Sequence, residues 1–447
     1  MTAPELDELC RVALDAAAEG EAVEAYAAEG RRTSVKARAG EVESLSFAES
    51  RGLGVRVVLD ARQGYAYATD PSPDEAADLV RQARENARLG EPDDAFGLPP
   101  SEPIEALDGL YVPALAELPT EAKVALALEL ERAATTSDPA VKKVEEAGYG
   151  DAVSRVAIAS TEGLSETYER TDCWCSAFAM AERDGEIQTG YDFRLGRTID
   201  ELDWQLVARE AASRAARLLG ATKPATERLP VLLDPLAAGS FLGVLAAGLS
   251  AESVQKGRSL FAGREGQQVG SDAVTIVDDG RNLEGPAASP FDDEGVPTRP
   301  TSLIDSGRLR GFLHNATTAR RGGTTSTGNA GRASYRSLPG VSPSNLYLVP
   351  GNDDAAALLA RAGRAIYVQD VTGVHSGANP VSGEFSVGAT GLRVENGAFG
   401  EPIREMTIAS TLIDMLNAVV AVGADLRFGG AIGSPTVLFG EMSIGGA

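Results

Sequence analysis

Apolar and polar positions in the first fifty residues follow helical spacing at first and strand alternation afterwards. Thr2, with Glu5 three positions later and Pro4 between them, has the pattern of a helix start. The apolar residues that follow share one helical face, and we expect them to be buried: Leu6, Cys10, Ala13, Leu14 and Ala17. Three alternating segments then predict an antiparallel meander at 22–28, 33–39 and 42–47.

The next two apolar segments are rich in β-branched and aromatic residues and are joined by a short polar loop. This pattern predicts a hairpin of residues 52–60 with residues 64–69. Ser72 and Glu75 have the spacing of a capping box, and Gly90 is placed to end the helix that they begin. The sequence therefore predicts a helix directly after the hairpin.

Helical and strand patterns alternate in the segment that follows. A proline-rich, acidic stretch at 91–105 lacks periodicity and predicts a surface connection. Helices are predicted at about 120–135 and about 202–219. Several strands are predicted between Val141 and Phe193, and Asp184-Gly185 is expected to form one of their turns.

A change of composition marks the predicted domain boundary at residues 221–229. Beyond it, glycine, serine and threonine separate short apolar segments, and a strand at 230–234 is followed by one short helix. We therefore predict an α+β fold with two domains. Residues 1–221 form an antiparallel sheet with helices, and residues 222–447 form a β-rich domain.

The charge balance narrows the classes of partner. With 41 Lys and Arg against 65 Asp and Glu, the net charge is −24, which disfavours binding to nucleic acid or to an anionic membrane. The first ten residues carry neither a basic segment nor an apolar one, so no signal peptide is expected. Three cysteines give no disulfide framework, and we expect a cytoplasmic protein.

Few residues of this chain are suited to bind a transition metal. The two histidines, His314 and His375, are far apart and neither is adjacent to a glutamate, so a His-Glu-x-x-His zinc helix is excluded. Cys173 and Cys175 are separated by a single residue, Trp174, whereas zinc sites use two to four. We expect both cysteines to point to one face of a strand and to be structural.

Several polar residues of the second half are candidates for chemistry or binding. The glycine-rich segment 322–331 exposes backbone donors but lacks the lysine of a phosphate-binding loop, and we predict a loop there. Arg320 and Arg321 precede it and could bind a carboxylate or phosphate, or form ordinary salt bridges. Glu384 lies between glycine and phenylalanine and could act as a base or serve the structure.

Nine short segments, spread over nearly the whole chain, resemble the TldD/PmbA family. They are GLGVR at 52–56, GYA at 64–66, STEG at 160–163, LGA at 219–221, PVLLDP at 230–235, STGNAG at 326–331, GEFSVGA at 383–389, VENG at 394–397 and EMSIGG at 441–446. The order and full-length spread of these segments make the resemblance specific.

The resemblance also bears on the metal. The TldD/PmbA family has two kinds of subunit that pair. The TldD kind carries a His-Glu-x-x-x-His zinc helix and a cysteine ligand near the C-terminus. Residues 235–242, where that helix would fall, read PLAAGSFL, and no cysteine follows Cys175. The chain thus resembles the metal-free subunit, called TldE or PmbA, with zinc expected only in the partner.

The resemblance implies a heterodimeric zinc metallopeptidase whose substrate is a peptide, a modified peptide or a smaller amide, as in peptide processing or natural-product maturation. This chain would complete the substrate chamber, and its glycine-rich half could hold a peptide as an added strand. The residues expected to contact substrate or partner are His314, Asn315, Arg320, Arg321, Gly328, Asn329, Glu384 and Ser386.

Two other classes of function remain open from the sequence. One is an independent, metal-free hydrolase built around His314, or around His375 with Glu384. The other is an interaction protein, which the family's older description as gyrase modulators suggests. At a net charge of −24, such a protein would bind protein surfaces.

Overall fold

A computed structural model describes residues 5–446. In its first half, helices lie at Leu6–Asp15 (α1), Pro73–Leu89 (α2), Pro113–Ala116 (α3), Thr120–Thr136 (α4) and Trp204–Ala216 (α5), with a 3₁₀ turn at Asp200–Leu202. Strands lie at Ala22–Arg38 (β1), Glu41–Leu59 (β2), Arg62–Thr69 (β3), Val141–Ser160 (β4), Ser165–Arg183 (β5) and Glu186–Gly196 (β6).

In the second half, helices lie at Pro235–Gly248 (α6), Ala251–Gln255 (α7), Ala316–Gly322 (α8), Ala355–Ala362 (α9), Val374–Gly377 (α10) and Leu412–Ala418 (α11). Strands lie at Glu227–Leu233 (β7), Ile276–Asp279 (β8), Pro300–Asp305 (β9), Arg308–Leu309 (β10), Ala330–Gly331 (β11), Gly340–Val341 (β12), Leu346–Leu348 (β13), Ala365–Thr372 (β14), Glu384–Glu395 (β15), Ala398–Thr411 (β16), Val419–Val422 (β17), Arg427–Phe428 (β18), Ile432–Ser434 (β19) and Val437–Gly445 (β20).

The predicted α+β fold is confirmed, and the first sheet is antiparallel throughout, in the order β3-β2-β1-β4-β5-β6. Apolar side chains at odd positions of β1, from Val23 to Ala37, lie under the helices α1, α2, α4 and α5. Even positions face the second half of the chain, where Tyr26 packs with Phe291 and Tyr335. One face of the sheet is therefore covered by helices, and the other carries the junction with the C-terminal half.

The segments of the predicted meander are antiparallel, but they form two strands and not three. Residues 22–28 and 33–38 belong to the single strand β1, and residues 42–47 lie within β2, which continues through Gly52 to Leu59. Arg31 and Arg32, between the first two segments, continue β1, because their backbone pairs with both β2 and β4. The guanidinium of Arg32 lies 4.3 Å from the centre of the Trp174 ring, and this cation–π contact stabilises the charged side chain on the sheet surface.

Helix boundaries follow the capping signals where these are present. Ser72 and Glu75 form the predicted capping box of α2, and Gly90 follows its last residue. The predicted start of α1 at Thr2 lies outside the described residues, but Leu6 and Cys10 are buried as expected. The helix ends at Asp15, so of the predicted apolar face only Ala17 lies beyond it.

Two sheets and the helix between them form the C-terminal half. The first has the order β16-β15-β14-β7-β20-β17, and an additional pairing of β16 with β20 closes it into a ring. The second has the order β10-β9-β8-β13-β19-β18. The helix α6 packs its apolar residues into the core shared by both sheets. A helix was expected here and is present, but at fourteen residues it is longer than the short helix that was predicted.

The early part of β2 differs from the rest of the first sheet. Residues 41–50 are exposed on both faces and pair only with β1, because β3 pairs with β2 from Gly52 onward. Within residues 5–446, no helix is long and apolar enough to cross a membrane.

Candidate functional site

The helix α6 occupies the place where the resemblance puts the zinc helix of the other subunit kind. Its residues Ala237, Ala238, Leu242 and Leu245 are buried, and the ring of Phe241 makes edge contacts with Phe385 and Phe439 at 5.8 and 5.9 Å. Aliphatic and aromatic side chains supply no lone pairs to a metal. Within residues 5–446, no three His, Cys, Asp or Glu side chains are grouped closely enough to hold a metal ion. The residues around α6 thus do not fit zinc.

The three cysteines are free and buried. Burial raises the pKa of the Cys10 thiol and of the Cys175 thiol to about 12, and that of Cys173 further still. A thiol must lose its proton to bind zinc or to act as a nucleophile, so these groups are held in their inert form. As predicted, Cys173 and Cys175 share the inner face of β5, and Trp174 lies on the other face.

Six of the eight predicted contact residues lie within α8, directly before it or in the glycine-rich loop after it. The side chain of Asn315 accepts a hydrogen bond from the Thr318 N–H and caps α8. The N–H of His314 donates to Thr327 Oγ1, and the hydroxyls of Ser326 and Thr327 donate back to the His314 carbonyl. The serine therefore bonds the backbone of His314 rather than its ring. Burial lowers the pKa of that imidazole, which keeps it neutral.

Gly328 and Asn329 lie within this loop and are both buried. The amide of Asn329 donates to Asp278 Oδ2 at 2.6 Å, and Ser344 donates to the same carboxylate through its N–H and its hydroxyl. Burial nevertheless raises the pKa of Asp278 to about 6. The predicted loop is shorter than 322–331, because Gly322 ends α8 and Gly323 takes the left-handed conformation of its cap.

The two predicted arginines join α8 to the surface connection at 91–105. The guanidinium of Arg320 donates to the carbonyls of Ala95 and Leu98. Arg321 forms an ion pair with Asp93, and its side chain remains 40% exposed. Both arginines are exposed, and their predicted contact with a substrate or partner stays a prediction.

Glu384 and Ser386 lie on β15, in the ring-shaped sheet, and point outward while Phe385 enters the core. Among residues 5–446, neither side chain forms a hydrogen bond or ion pair with the residues of α8 or its loop, so the structure divides the eight predicted contacts between two surfaces. His375 is exposed in α10. The only side-chain partner of Glu384 among the described residues is the hydroxyl of Ser382.

A buried ionic network at the junction was missed from the sequence. Arg56 in β2 pairs with Glu24 in β1 and with Glu294, and Arg332 also pairs with Glu24. The second carboxylate oxygen of Glu294 accepts the N–H of Ala316 at the start of α8. A signal was present, because Glu24 and Arg56 interrupt otherwise apolar strands.

The turn that contains Glu294 also holds the glycine-rich loop. Asp292 accepts the N–H of Ala330, and Asp293 accepts the N–H of Arg332. Burial and the neighbouring Glu294 raise the pKa of Asp292 well above its usual range. The loop that carries Gly328 and Asn329 is therefore positioned by acidic side chains, and the start of α8 is connected through Glu294 and Arg56 to the first sheet.

Comparisons with known proteins cover the whole fold. Models of the PmbA/TldA metallopeptidase domains match residues 23–87 (domain 1), 113–219 (central domain) and 226–446 (C-terminal domain). Metalloprotease PmbA of Escherichia coli O157:H7 is 30% identical over 449 residues, covering 99% of this chain and 96% of that protein.

Two crystal structures share the architecture. A candidate modulator of a DNA gyrase from Thermotoga maritima MSB8 superimposes with a TM-score of 0.89 at 29% identity, over 98% of each chain. TldE from Thermococcus kodakarensis gives a TM-score of 0.90 at 21% identity, over 98% of this chain and 99% of that one, which is a likeness of fold alone. The resemblance inferred from the motifs is confirmed, and the chain belongs to the TldD/PmbA family of metallopeptidase-like proteins.

Proposed function

We propose that this chain is the metal-free subunit of a heterodimeric peptidase of the TldD/PmbA family. Its partner is a related subunit that binds zinc, and the complex hydrolyses peptides, modified peptides or smaller amides. The three free, buried thiols are compatible with a cytoplasmic location for the complex.

The observation that carries the proposal is the character of α6. In a family of metallopeptidases, the helix that follows Asp234 is apolar here and is packed into the core between two sheets. A zinc ligand introduced there would have to be buried among Phe241, Phe385 and Phe439, which is costly for a polar group without a partner. The chemistry of water activation is therefore assigned to the other subunit.

This chain contributes surfaces to the shared chamber. Residues 322–325 are exposed beside Arg321, and the outer face of β15 presents Glu384 and Ser386 next to a neighbouring strand, β16. Both surfaces are rich in small or hydroxyl-bearing residues, which permit the backbone of an extended peptide to approach closely.

Metal analysis and reconstitution test the proposal. The tagged chain, expressed in its native host, is expected to co-purify with a stoichiometric subunit that carries a His-Glu-x-x-x-His motif. Zinc should be stoichiometric in the complex and absent from this chain purified alone. Hydrolysis of an unfolded peptide should require both subunits and be abolished by a chelator.

Three results would overturn the proposal. One is stoichiometric zinc in this chain alone, and another is a complex whose activity survives removal of this chain. The third is chelator-insensitive hydrolysis by this chain alone that is lost in His314→Ala, which would establish the independent hydrolase instead. Loss of that activity in His375→Ala instead would place the independent hydrolase at the second candidate histidine, which is exposed on a short helix.

A further inference from the structure

A cavity of about 820 Å³ lies where the first sheet meets the ring-shaped sheet of the second half. One wall is formed by β6 and α5, and the opposite wall by β7, β14 and the segment 424–428. The lining of this cavity includes no residue of the α8 loop or of β15. It contains α6 only at the helix start, through Asp234 and Pro235. No part of the proposed function uses it.

Most of the positive charge in this cavity is neutralised within the chain. Arg214 is buried and pairs with Asp234 at 2.9 Å and with Asp370 at 3.2 Å. Arg427 pairs at 2.6 Å with Asp192, a carboxylate that is completely buried. These residues hold the two walls together and are not available to a ligand.

Arg217 is different from its neighbours. Its Nε donates to the side-chain carbonyl of Gln369, and its guanidinium lies 5.7 Å from the ring centre of Tyr367 and 5.9 Å from that of Phe399. No carboxylate in residues 5–446 forms an ion pair with it. Because two rings and one hydrogen bond fix the plane of the guanidinium, its terminal nitrogens are pre-organised to bind a carboxylate in bidentate fashion.

An acidic group faces the same cavity at a defined separation. Glu210 lies on α5 seven residues before Arg217, which is the C-cap residue of that helix, so the two Cα atoms lie on one helix face about 10 Å apart along the axis. Within the described part of the chain, the Glu210 carboxylate forms no ion pair. Glu284 lines the opposite wall and is exposed, whereas Asp425 is occupied by the N–H and hydroxyl of Thr436.

We propose that this cavity binds a short zwitterionic peptide, with its carboxylate on Arg217 and its ammonium group on Glu210. An extended tripeptide is about 10 Å long, which is comparable to the axial spacing of the Cα atoms of Glu210 and Arg217. Phe399 and Leu359 supply apolar surface for the side chains of the peptide. The choice of a peptide over another zwitterion rests on the proposed function, because short peptides are what a peptidase releases.

Titration calorimetry of the full-length chain with the tripeptide Ala-Leu-Ala tests this site. The free peptide should bind, and its C-terminal amide and N-acetyl forms should each bind at least about ten-fold more weakly. Arg217→Gln should weaken binding of the free peptide by a similar factor and leave binding of the amide unchanged. Glu210→Gln should also weaken binding of the free peptide by a similar factor, and it should leave binding of the N-acetyl form unchanged.

Arg209→Gln is the matched control, since this arginine is exposed on the same helix and does not line the cavity. Absence of binding by the unmodified chain, or equal binding of all three peptide forms, would overturn the inference without relying on any variant. Binding to this chain needs neither zinc nor a partner. Peptide hydrolysis by the complex, without binding of Ala-Leu-Ala to this chain, would thus refute the site alone. Binding of Ala-Leu-Ala without peptide hydrolysis by the complex would refute only the proposed function.

Discussion

The guanidinium of Arg56 lies 2.7 Å from a carboxylate oxygen of Glu294, and both side chains are buried where β2 meets the C-terminal half. Arg56 also pairs with Glu24, so one cation is shared by two buried acids. Through the Ala316 N–H that Glu294 accepts, this relationship connects the first sheet to the start of α8.

Replacing the shared cation should therefore destabilise the protein strongly. We expect Arg56→Met to lower the free energy of unfolding by about 3–5 kcal/mol, because it leaves the buried carboxylate of Glu294 without its cation, while Glu24 retains only Arg332. Urea denaturation at pH 7 measures this loss. The control is Arg11→Met, which removes the exposed Arg11–Asp15 pair and should have little effect. Similar losses in the two variants would show that the network does not stabilise the junction.

The buried carboxylate of Asp278 should make stability depend on pH. Its pKa is raised from 3.8 to about 6, so the folded state holds this proton more tightly than the unfolded state. Ionisation of Asp278 therefore opposes folding. The stabilising, protonated form of this side chain is lost as the pH rises through about 6. The free energy of unfolding of the wild type, minus that of Asp278→Asn, should fall by about 3 kcal/mol between pH 4 and pH 7.

Urea denaturation at both pH values measures this difference, and Asp7→Asn, at an exposed position, is the control. A pH dependence shared by the wild type and Asp278→Asn would contradict the raised pKa.

Gly328 should not tolerate a side chain. Its φ is +76°, and a Cβ built there would lie 2.7 Å from the carbonyl oxygen of Pro297. Gly328→Ala should cost on the order of 1–3 kcal/mol, and it should weaken assembly with the zinc-binding subunit if the loop contacts that subunit. Gly322→Ala is the control, because its Cβ would meet nothing closer than 3.6 Å on a helix. Equal thermal denaturation midpoints would show that the loop adapts.

The thiols should be inert in the folded protein. A thiol whose pKa is near 12 carries almost no thiolate at pH 8, and burial blocks access to all three. We expect no reaction with Ellman's reagent under native conditions and complete reaction in guanidinium. Replacing Cys173 and Cys175 by serine should leave activity of the complex within a few-fold. Rapid labelling of the native chain would reveal an exposed or activated cysteine.

The sequence predicted those helices and hairpins whose first and last residues are marked by capping or turn residues in the same segment. Ser72, Glu75 and Gly90 define α2 within a single segment, and the hairpin of β2 with β3 follows from alternation around a short turn. The length of β1 could not be predicted in this way. Arg31 and Arg32 continue the strand only because partners from residues 48–49 and 152–153 lie on either side.

In the candidate site, too, contacts between residues close in the chain could be predicted, whereas contacts with distant residues could not. His314, Asn315 and Asn329 are close in the chain, and the structure brings them into one loop network. Glu294 could not be assigned to that network from the sequence, because its partner Arg56 is more than half the chain away. Arg217 and Glu210 have visible helical spacing, but the aromatic wall that orients Arg217 comes from β14 and β16.

The closure of the C-terminal sheet has a consequence for biosynthesis. The strand β20 pairs with β7, β16 and β17, and its partner β7 is made roughly 200 residues earlier. The N-terminal sheet can form before β20 is synthesised, whereas the ring can close only after β20 has left the ribosome. Nascent chains stalled before Val437 should therefore expose β7 and α6 to chaperones and proteases, and emergence of β20 should end that exposure.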